Sequence, residues 1–211
     1  MPVTTLATAV RRHRLTTGQR QREIVAAVLA LARERGPDAI TTQAIADRMG
    51  VTQGAVFRHF PDKQAIWLAV FAWVRESLGA VLATAIDEAD SPLAGIERAF
   101  LAHVAFIAAN PGVPRVMFHE MQYPGDSLVR AEVRAMINSY RQRLTLLFRQ
   151  AKTAGELPRD LDATLAPVSF IGAVQGLVIE ASLAGDETGM VKRARKLLPL
   201  LLDGYRGRRK S

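Results

Sequence analysis

The chain has 211 residues, no cysteine and a formal net charge of +8 at pH 7. A chain of this length can bury a core in one or two domains. Without cysteine it can form neither disulfides nor sulfur-ligated metal sites. The N-terminal sequence lacks the order of charged and apolar segments that is typical of a secretory signal, so we expect a cytoplasmic protein.

Charge is distributed unevenly along the chain. Residues 1–63 carry ten Lys and Arg against five Asp and Glu, residues 64–191 carry ten against fourteen, and residues 192–211 carry eight against one. A basic N-terminal segment is the electrostatic footprint of a protein that binds a phosphate backbone. A solvated basic surface on an ordinary protein has the same composition, so charge alone leaves both interpretations open.

Apolar residues recur at helical spacing through almost the whole sequence, and no stretch alternates strictly enough to indicate a sheet. We therefore predict an all-α fold of about nine helices, with Gly and Pro at the breaks. The predicted helices are an opening helix between the Thr16 cap and Gly36, then 43–49, 53–59, 63–88, 92–109, 113–121, 126–154, 162–184 and 188–206.

The last two predicted helices favour a homodimer. Residues 163–179 carry no charge, but the run is shorter than the roughly 20 apolar residues of a membrane span, so we expect a buried helix and no membrane contact. Gly172 and Gly176 share one face and would allow another helix to approach closely. The final helix, in which Pro199 should introduce a kink, carries an apolar stripe that could complete a four-helix dimer core. The stripe consists of Leu197, Leu198, Leu201, Leu202 and Tyr205.

Residues 41–67 read TTQAIADRMGVTQGAVFRHFPDKQAIW. Two short helices meet there at Gly50, a residue that tolerates the positive φ of a tight turn. Their facing apolar residues are Ile45, Met49, Val56 and Phe60. This is helix-turn-helix geometry, in which the second helix enters the major groove of DNA. That helix would present Gln53, Gly54, Ala55, Arg58 and His59 to the bases.

Lys63 stands in the first turn of the fourth predicted helix. The helix dipole disfavours a cation at this position, whereas the free N–H groups of the same turn attract a phosphate. A lysine at a helix N-terminus therefore suits a DNA phosphate. The alternative is a solvated lysine that Asp62 partly neutralises.

Four segments of this region follow a family pattern: ERG at 34–36, TTQAIA at 41–46, GVTQGAVFRHF at 50–60 and PDK at 61–63. With them the region resembles the DNA-binding domain of TetR-family transcriptional regulators. The resemblance implies a helix-turn-helix domain over residues 1–65, and a ligand-binding and dimerisation domain over 66–211. It implies DNA contacts by Thr42, Thr52, Gln53, Gly54, Ala55, Phe57, His59 and Lys63, to which we add Gln43 and Arg58.

The sequence departs from the family pattern at two DNA-contact positions. Phe57 stands where a tyrosine is usual, so the phenolic hydroxyl contact to phosphate is missing. Ala55 cannot hydrogen-bond a base, although it could touch a thymine methyl group. Further upstream, Arg11, Arg12 and Arg14 could form an arm that enters the minor groove, or a disordered solubilising tail.

Large apolar side chains with a few polar ones follow helical spacing in the second predicted domain. Core packing accounts for any one of them, but the resemblance implies that a subset lines a pocket for a small, largely apolar effector. Our candidates are Trp67, Phe71, Val74, His103, Met117, Met121, Met136, Tyr140, Phe170, Val174 and Gln175.

The four histidines lack metal-binding spacing, and neither a phosphate-binding loop nor a nucleophile elbow is present. We expect no catalytic residue, metal or cofactor. The sequence thus predicts a homodimeric repressor that binds double-stranded DNA and is released by a ligand. The alternative is a DNA-organising or protein-interaction factor on the same scaffold, without a small-molecule effector.

Overall fold

The computed structural model describes residues 16–122 and 125–207, which form nine α-helices and no β-strand. The all-α prediction is therefore confirmed. The helices are α1 (Thr17–Arg35), α2 (Thr42–Met49), α3 (Gln53–Phe57), α4 (Lys63–Asp87), α5 (Pro92–Ala109), α6 (Gly112–Gln122), α7 (Leu128–Thr153), α8 (Ala166–Ala184) and α9 (Met190–Arg206).

Helix α1 begins with the predicted capping box. The Thr16 hydroxyl accepts a hydrogen bond from the amide of Gln19, and the Gln19 side chain accepts one from the amide of Thr16. The helix ends at Gly36, whose φ of +82° few other residues adopt. A single 3₁₀ turn, Pro37–Ala39, follows and was not predicted.

Several helix boundaries differ from the predicted ones, and local hydrogen bonds decide three of them. Helix α3 ends before His59, whose amide donates to a carbonyl three residues back and so tightens the turn. Helix α8 begins four residues after Asp162, whose carboxylate accepts hydrogen bonds from the amides two and three residues later. Asp186 holds the amide of Gly189 in the same way, so α9 begins only at Met190.

Helices α1, α2 and α3 form a small N-terminal unit, and α4 extends from it to pack against α5 and α7. Four phenylalanines, Phe71, Phe100, Phe148 and Phe170, are fully buried in the core of the larger unit. By length and composition alone, α4, α5 and α8 would be apolar enough to cross a membrane. In this fold their apolar faces supply the core of a helical bundle.

Helix α9 does not present its whole apolar stripe to a partner, and this part of the prediction is wrong. Leu198, Leu202 and Tyr205 are buried inside their own protomer. The Tyr205 hydroxyl lies 3.2 Å from the carbonyl oxygen of Ala166, to which it donates. The helix continues through Pro199. The leucines whose spacing suggests an interface therefore mainly pack α9 against α5 and α8.

Candidate nucleic-acid interface and ligand cavity

The turn between α2 and α3 has the geometry of a helix-turn-helix. Thr41 and Thr52 cap the two helices, each through a hydrogen bond from an amide three residues later. Gly50 ends α2 in the left-handed conformation, with φ +64° and ψ +36°. Ile45 and Val56 are buried between the helices, so α3 is held by apolar packing on its inner side.

The ten residues predicted to contact DNA lie between the start of α2 and the first turn of α4. Seven are exposed: Gln43, Thr52, Gln53, Gly54, Phe57, Arg58 and Lys63. The other three, Thr42, Ala55 and His59, are half-buried. The side-chain amide of Gln53 donates to the Thr42 hydroxyl at 2.6 Å and so joins the N-termini of the two helices.

His59 does not project from α3 as its position predicts, because the helix has already ended. Its Nδ1 is buried without a hydrogen-bond partner, and its carbonyl oxygen accepts from the Gln21 side chain of α1 at 3.1 Å. His59 therefore lies partly against α1, and Arg58 beside it is the exposed cation of this turn.

Lys63 occupies the first turn of α4, which Asp62 caps through a 2.7 Å hydrogen bond from the amide of Ala65. The lysine is exposed. An ion pair joins α1 and α2 of the N-terminal unit: Arg48 of α2 lies 2.6 Å from Glu34 of α1. The hydrogen bond from Arg48 lowers the pKa of the Glu34 carboxyl below its ordinary value.

A cavity of about 130 Å³ lies among α4, α5, α6, α7 and α8, and we call it the apolar cavity. Eight of the eleven predicted ligand residues line it: Val74, His103, Met117, Met121, Met136, Tyr140, Val174 and Gln175. The other lining residues are Leu78, Phe106, Ile107, Val113, Pro114, Phe118, Ile137, Ile171 and Val178. Helical spacing could have identified some of these additional lining residues. Ile171 and Val178, for example, lie three residues before and four residues after the predicted Val174.

Three predicted ligand residues lie outside the lining of this cavity: Phe71 and Phe170 are buried in the core, and the half-buried Trp67 packs against it. Trp67 is stacked on Phe71, with 6.4 Å between ring centroids. Phe71 is fully buried. Phe170 packs edge-to-face against Phe100 at 5.3 Å. Aromatic residues at helical spacing are indistinguishable in sequence whether they face a cavity or the core.

His103 and Tyr140 form the polar pair of the apolar cavity. The Tyr140 hydroxyl lies 3.0 Å from Nδ1 of His103 and donates to it in the tautomer that carries its proton on Nε2. Burial lowers the pKa of His103 to about 4, because the charged imidazolium would lose its hydration. Burial also raises the pKa of Tyr140. Both groups are therefore neutral at physiological pH.

A second cavity, of about 290 Å³, lies between α4, α5 and α7, and we call it the arginine cavity. Arg75 and Arg143 line it together with Asp87, Ser139 and Gln150. Its remaining walls are mainly leucine, alanine and isoleucine side chains. Leu78, Met136 and Tyr140 line both cavities.

Helix α6 connects the apolar cavity to the helix-turn-helix unit. Arg115 of α6 donates to the carbonyl oxygen of Arg33 in the last turn of α1, at 2.6 Å. At Gly112, the first residue of α6, a methyl group would lie only 2.1 Å from the carbonyl oxygen of Leu29. This close approach requires glycine, so α6 is seated directly on α1 while its other side lines the cavity.

Fold and surface together define a helix-turn-helix DNA-binding transcriptional regulator. A family model described as bacterial regulatory proteins, tetR family, matches residues 24–70. A second, described as tetracyclin repressor-like, C-terminal domain, matches residues 124–198. The two matches together span more than half of the chain, which belongs to the TetR family of bacterial regulators.

One curated protein is similar to this chain in sequence, and two solved structures are similar to it in fold. The nucleoid occlusion factor SlmA of Aliivibrio fischeri is 27% identical over 151 residues, which are 69% of this chain and 74% of that protein. The fatty acid degradation regulator FadR from Bacillus halodurans superposes with a TM-score of 0.78 at 18% identity, over 92% of this chain and all of that one. The ketosteroid transcriptional regulator KstR2 of Mycobacterium tuberculosis has a TM-score of 0.75 at 20% identity, over 90% and 96% of the two chains.

Proposed function

We propose that this regulator is a homodimeric cytoplasmic repressor that leaves its operator when a small, largely apolar ligand enters the apolar cavity. One observation carries the proposal: α6 lines that cavity with Met117 and is seated on α1 through Arg115 and Gly112. The functional boundary falls near residue 65, where α4 leaves the helix-turn-helix unit.

In the proposed complex, α3 lies in the major groove. Gln53 and Arg58 reach base edges, Ala55 and the exposed Phe57 contact thymine methyl groups or sugars, and Lys63 contacts a phosphate. The other predicted contacts, at Thr42, Gln43, Thr52, Gly54 and His59, fix the position of the unit on the backbone. The basic residues Arg11, Arg12 and Arg14, assigned to a minor-groove arm, lie outside the described residues.

An exposed apolar face of α8 supports the dimer. Leu165, which precedes the first residue of α8, and Val168, Ile179 and Leu183 within the helix are all at least half exposed. Between them lie Gly172 and Gly176, where an added methyl group would meet no heavy atom within 4 Å. A monomer rarely exposes such a continuous stripe, and a second copy of α8 would cover it.

Ligand entry changes DNA affinity through two helices in this proposal. Val74 and Leu78 on α4 and Met117 on α6 border the cavity, so a ligand that enlarges it displaces one helix or both. Since α4 begins at Lys63 and α6 is seated on α1, either displacement turns the α3 helices of the dimer away from half-sites about 34–36 Å apart. A difference of roughly 1–3 kcal/mol between ligand-bound and free states is an ordinary allosteric coupling.

The test is fluorescence anisotropy of the purified protein on duplex DNA from directly upstream of its own gene, with a scrambled duplex as competitor. We expect saturable binding that survives the competitor and weakens steeply as salt rises. Arg58→Ala should abolish the preference for the upstream duplex. Arg159→Gln, an exposed arginine of the α7–α8 loop, is the matched control and should leave binding unchanged. Apolar compounds are then screened for release of the DNA.

The likeness to nucleoid occlusion factor SlmA favours a second candidate function, a DNA-organising factor that acts without a small effector. A genome-wide binding map separates the two functions. A repressor should occupy a few sites in promoters, whereas an organising factor should occupy many sites spread along the chromosome. In the second case no compound that binds the apolar cavity should change DNA affinity.

A further inference from the structure

We infer that the effector of this regulator is an elongated amphiphile, with an apolar chain in the apolar cavity and a single carboxylate beside Arg143 in the arginine cavity. The inference rests on the proposed function, because it specifies the ligand of the same site. It depends on the lining residues that the two cavities share and on the charges in the arginine cavity.

The two cavities meet along common walls. Leu78 of α4 and Met136 and Tyr140 of α7 line both of them. The apolar cavity alone holds only about 130 Å³, which is small for a ligand, whereas both together reach the range of roughly 300–1,000 Å³ for small-molecule pockets. A ligand that fills both cavities must displace or pass between these three side chains, so it is long rather than compact.

The inner end of this space suits an apolar chain. His103 and Tyr140 bond to each other at 3.0 Å, so the pair is satisfied without a polar ligand group. Gln175 of α8 is exposed to solvent at the edge of the apolar cavity. The remaining walls are aliphatic, aromatic or methionine side chains, and burying methylene groups against them is favourable.

The outer end suits one negative charge. Arg143 forms no ion pair with any residue of 16–122 or 125–207, and its Nη1 would lie 3.7 Å from a methyl group placed at Gly79. Arg75 is already paired with Glu132. Asp87 lines the same cavity, and its negative charge disfavours a doubly charged head group more than a singly charged one. A planar guanidinium matches a carboxylate in a bidentate manner.

The experiment uses the fluorescence of Trp67 and Trp73, the two tryptophans of the chain. Both lie on α4, which contributes to the lining of both cavities. Dodecanoate, dodecan-1-ol, dodecyl phosphate and hexanoate are titrated below their micelle concentrations. We expect dodecanoate to bind about five- to tenfold more tightly than the alcohol, and more tightly than the phosphate. Shortening the chain should weaken binding about fourfold per methylene.

Variants locate the head group. Arg143→Gln should weaken dodecanoate about five- to tenfold and leave dodecan-1-ol unchanged, while Arg143→Lys should restore part of the difference. Arg149→Gln, an exposed arginine of the same helix outside both cavities, should change neither. The inference is overturned if the alcohol or the phosphate binds as tightly as the carboxylate, or if Arg143→Gln and Arg149→Gln behave alike.

Operator release is measured separately, by anisotropy with the same ligands. Dodecanoate that binds with the expected Arg143 dependence but leaves DNA affinity unchanged supports the ligand class and contradicts the repressor mechanism. Release of DNA by neutral apolar compounds, with no preference for the carboxylate, does the reverse. The two proposals can therefore fail independently.

Discussion

At the scale of single residues, His103 links the cavity to the pH dependence of stability. Its pKa is about 4 in the folded protein and 6.5 ordinarily. Between these values the unfolded chain binds a proton that the folded protein does not bind, so the free energy of unfolding falls as pH decreases from about 6.5 to about 4. We expect a loss of up to about 3 kcal/mol, measured by urea denaturation across this range.

His103→Gln is the control for this pH dependence, since a glutamine can still accept a hydrogen bond from Tyr140 but does not titrate. The variant should lose the slope between pH 6.5 and 4.5. Asp162 and Asp186, whose pKa values are lowered by hydrogen bonds from Thr164 and Arg193 respectively, lose their stabilising effect only at lower pH. An unchanged slope in His103→Gln would mean that His103 is not buried in its neutral form.

Lys63 allows a residue-scale test of the DNA interface. If its ammonium group contacts a phosphate, Lys63→Gln should weaken binding to specific and scrambled duplexes about equally. The slope of log K against log salt should decrease in magnitude by about one. Gln53→Ala, in contrast, should weaken binding to the operator alone by about 1–3 kcal/mol. Identical behaviour of the two variants would contradict the division into phosphate and base contacts.

At the scale of elements, the contact between α1 and α6 depends on Gly112. Gly112→Ala would place a methyl group 2.1 Å from the carbonyl oxygen of Leu29, and this main-chain atom cannot rotate away. We expect a destabilisation of about 1–3 kcal/mol or more, together with a weaker effect of ligand on DNA affinity. Thermal denaturation and anisotropy measure the two effects.

Gly18→Ala provides the matched control in the same pair of helices. Gly18 is exposed in the first turn of α1, where a methyl group meets nothing within 4 Å. Since alanine is the better helix former, this variant should be unchanged or up to about 1 kcal/mol more stable. Equal losses in the two variants would show that the close approach to Leu29 is not responsible.

Local chemistry made most of the helices predictable from sequence, and the arrangement of their faces was less so. The Thr16 cap, the Gly50 turn and the Pro61 break are short-range signals, and the structure has them where they were expected. The direction of His59 depended on α3 ending two residues earlier than predicted. The inward orientation of Leu198 depended on how α9 packs on α5 and α8, which helical spacing cannot specify.

The residues of the candidate ligand site also differ in how well the sequence predicts them. Met136 and Tyr140 were recognisable as large side chains on one face of α7. Arg143, one turn further on, is exposed, and nothing in the sequence separates it from the other surface arginines. Its significance comes from the space left by Gly79 on α4, which is a property of two helices together. Sequence reasoning on single elements could not find it.

At the scale of the whole molecule, the exposed face of α8 makes the oligomeric state testable. Leu183 is 85% exposed and Ile179 is 52% exposed, so a charge there costs the monomer little. Leu183→Arg should therefore leave the fold intact by circular dichroism and convert a dimer into a monomer in light scattering. Leu128→Arg, at a position 64% exposed at the start of α7, is the control and should remain dimeric.

The same variant connects the dimer to DNA recognition. A dimer places two α3 helices on half-sites one helical turn apart, and tethering makes the second half-site contact effectively intramolecular. Leu183→Arg should therefore lose about a hundredfold or more in affinity for a two-half-site operator. Its affinity for an isolated half-site should equal that of the unaltered protein. If the monomeric variant still bound the full operator tightly, each helix-turn-helix unit would act alone, and α8 could not transmit a ligand signal through the spacing of the two α3 helices.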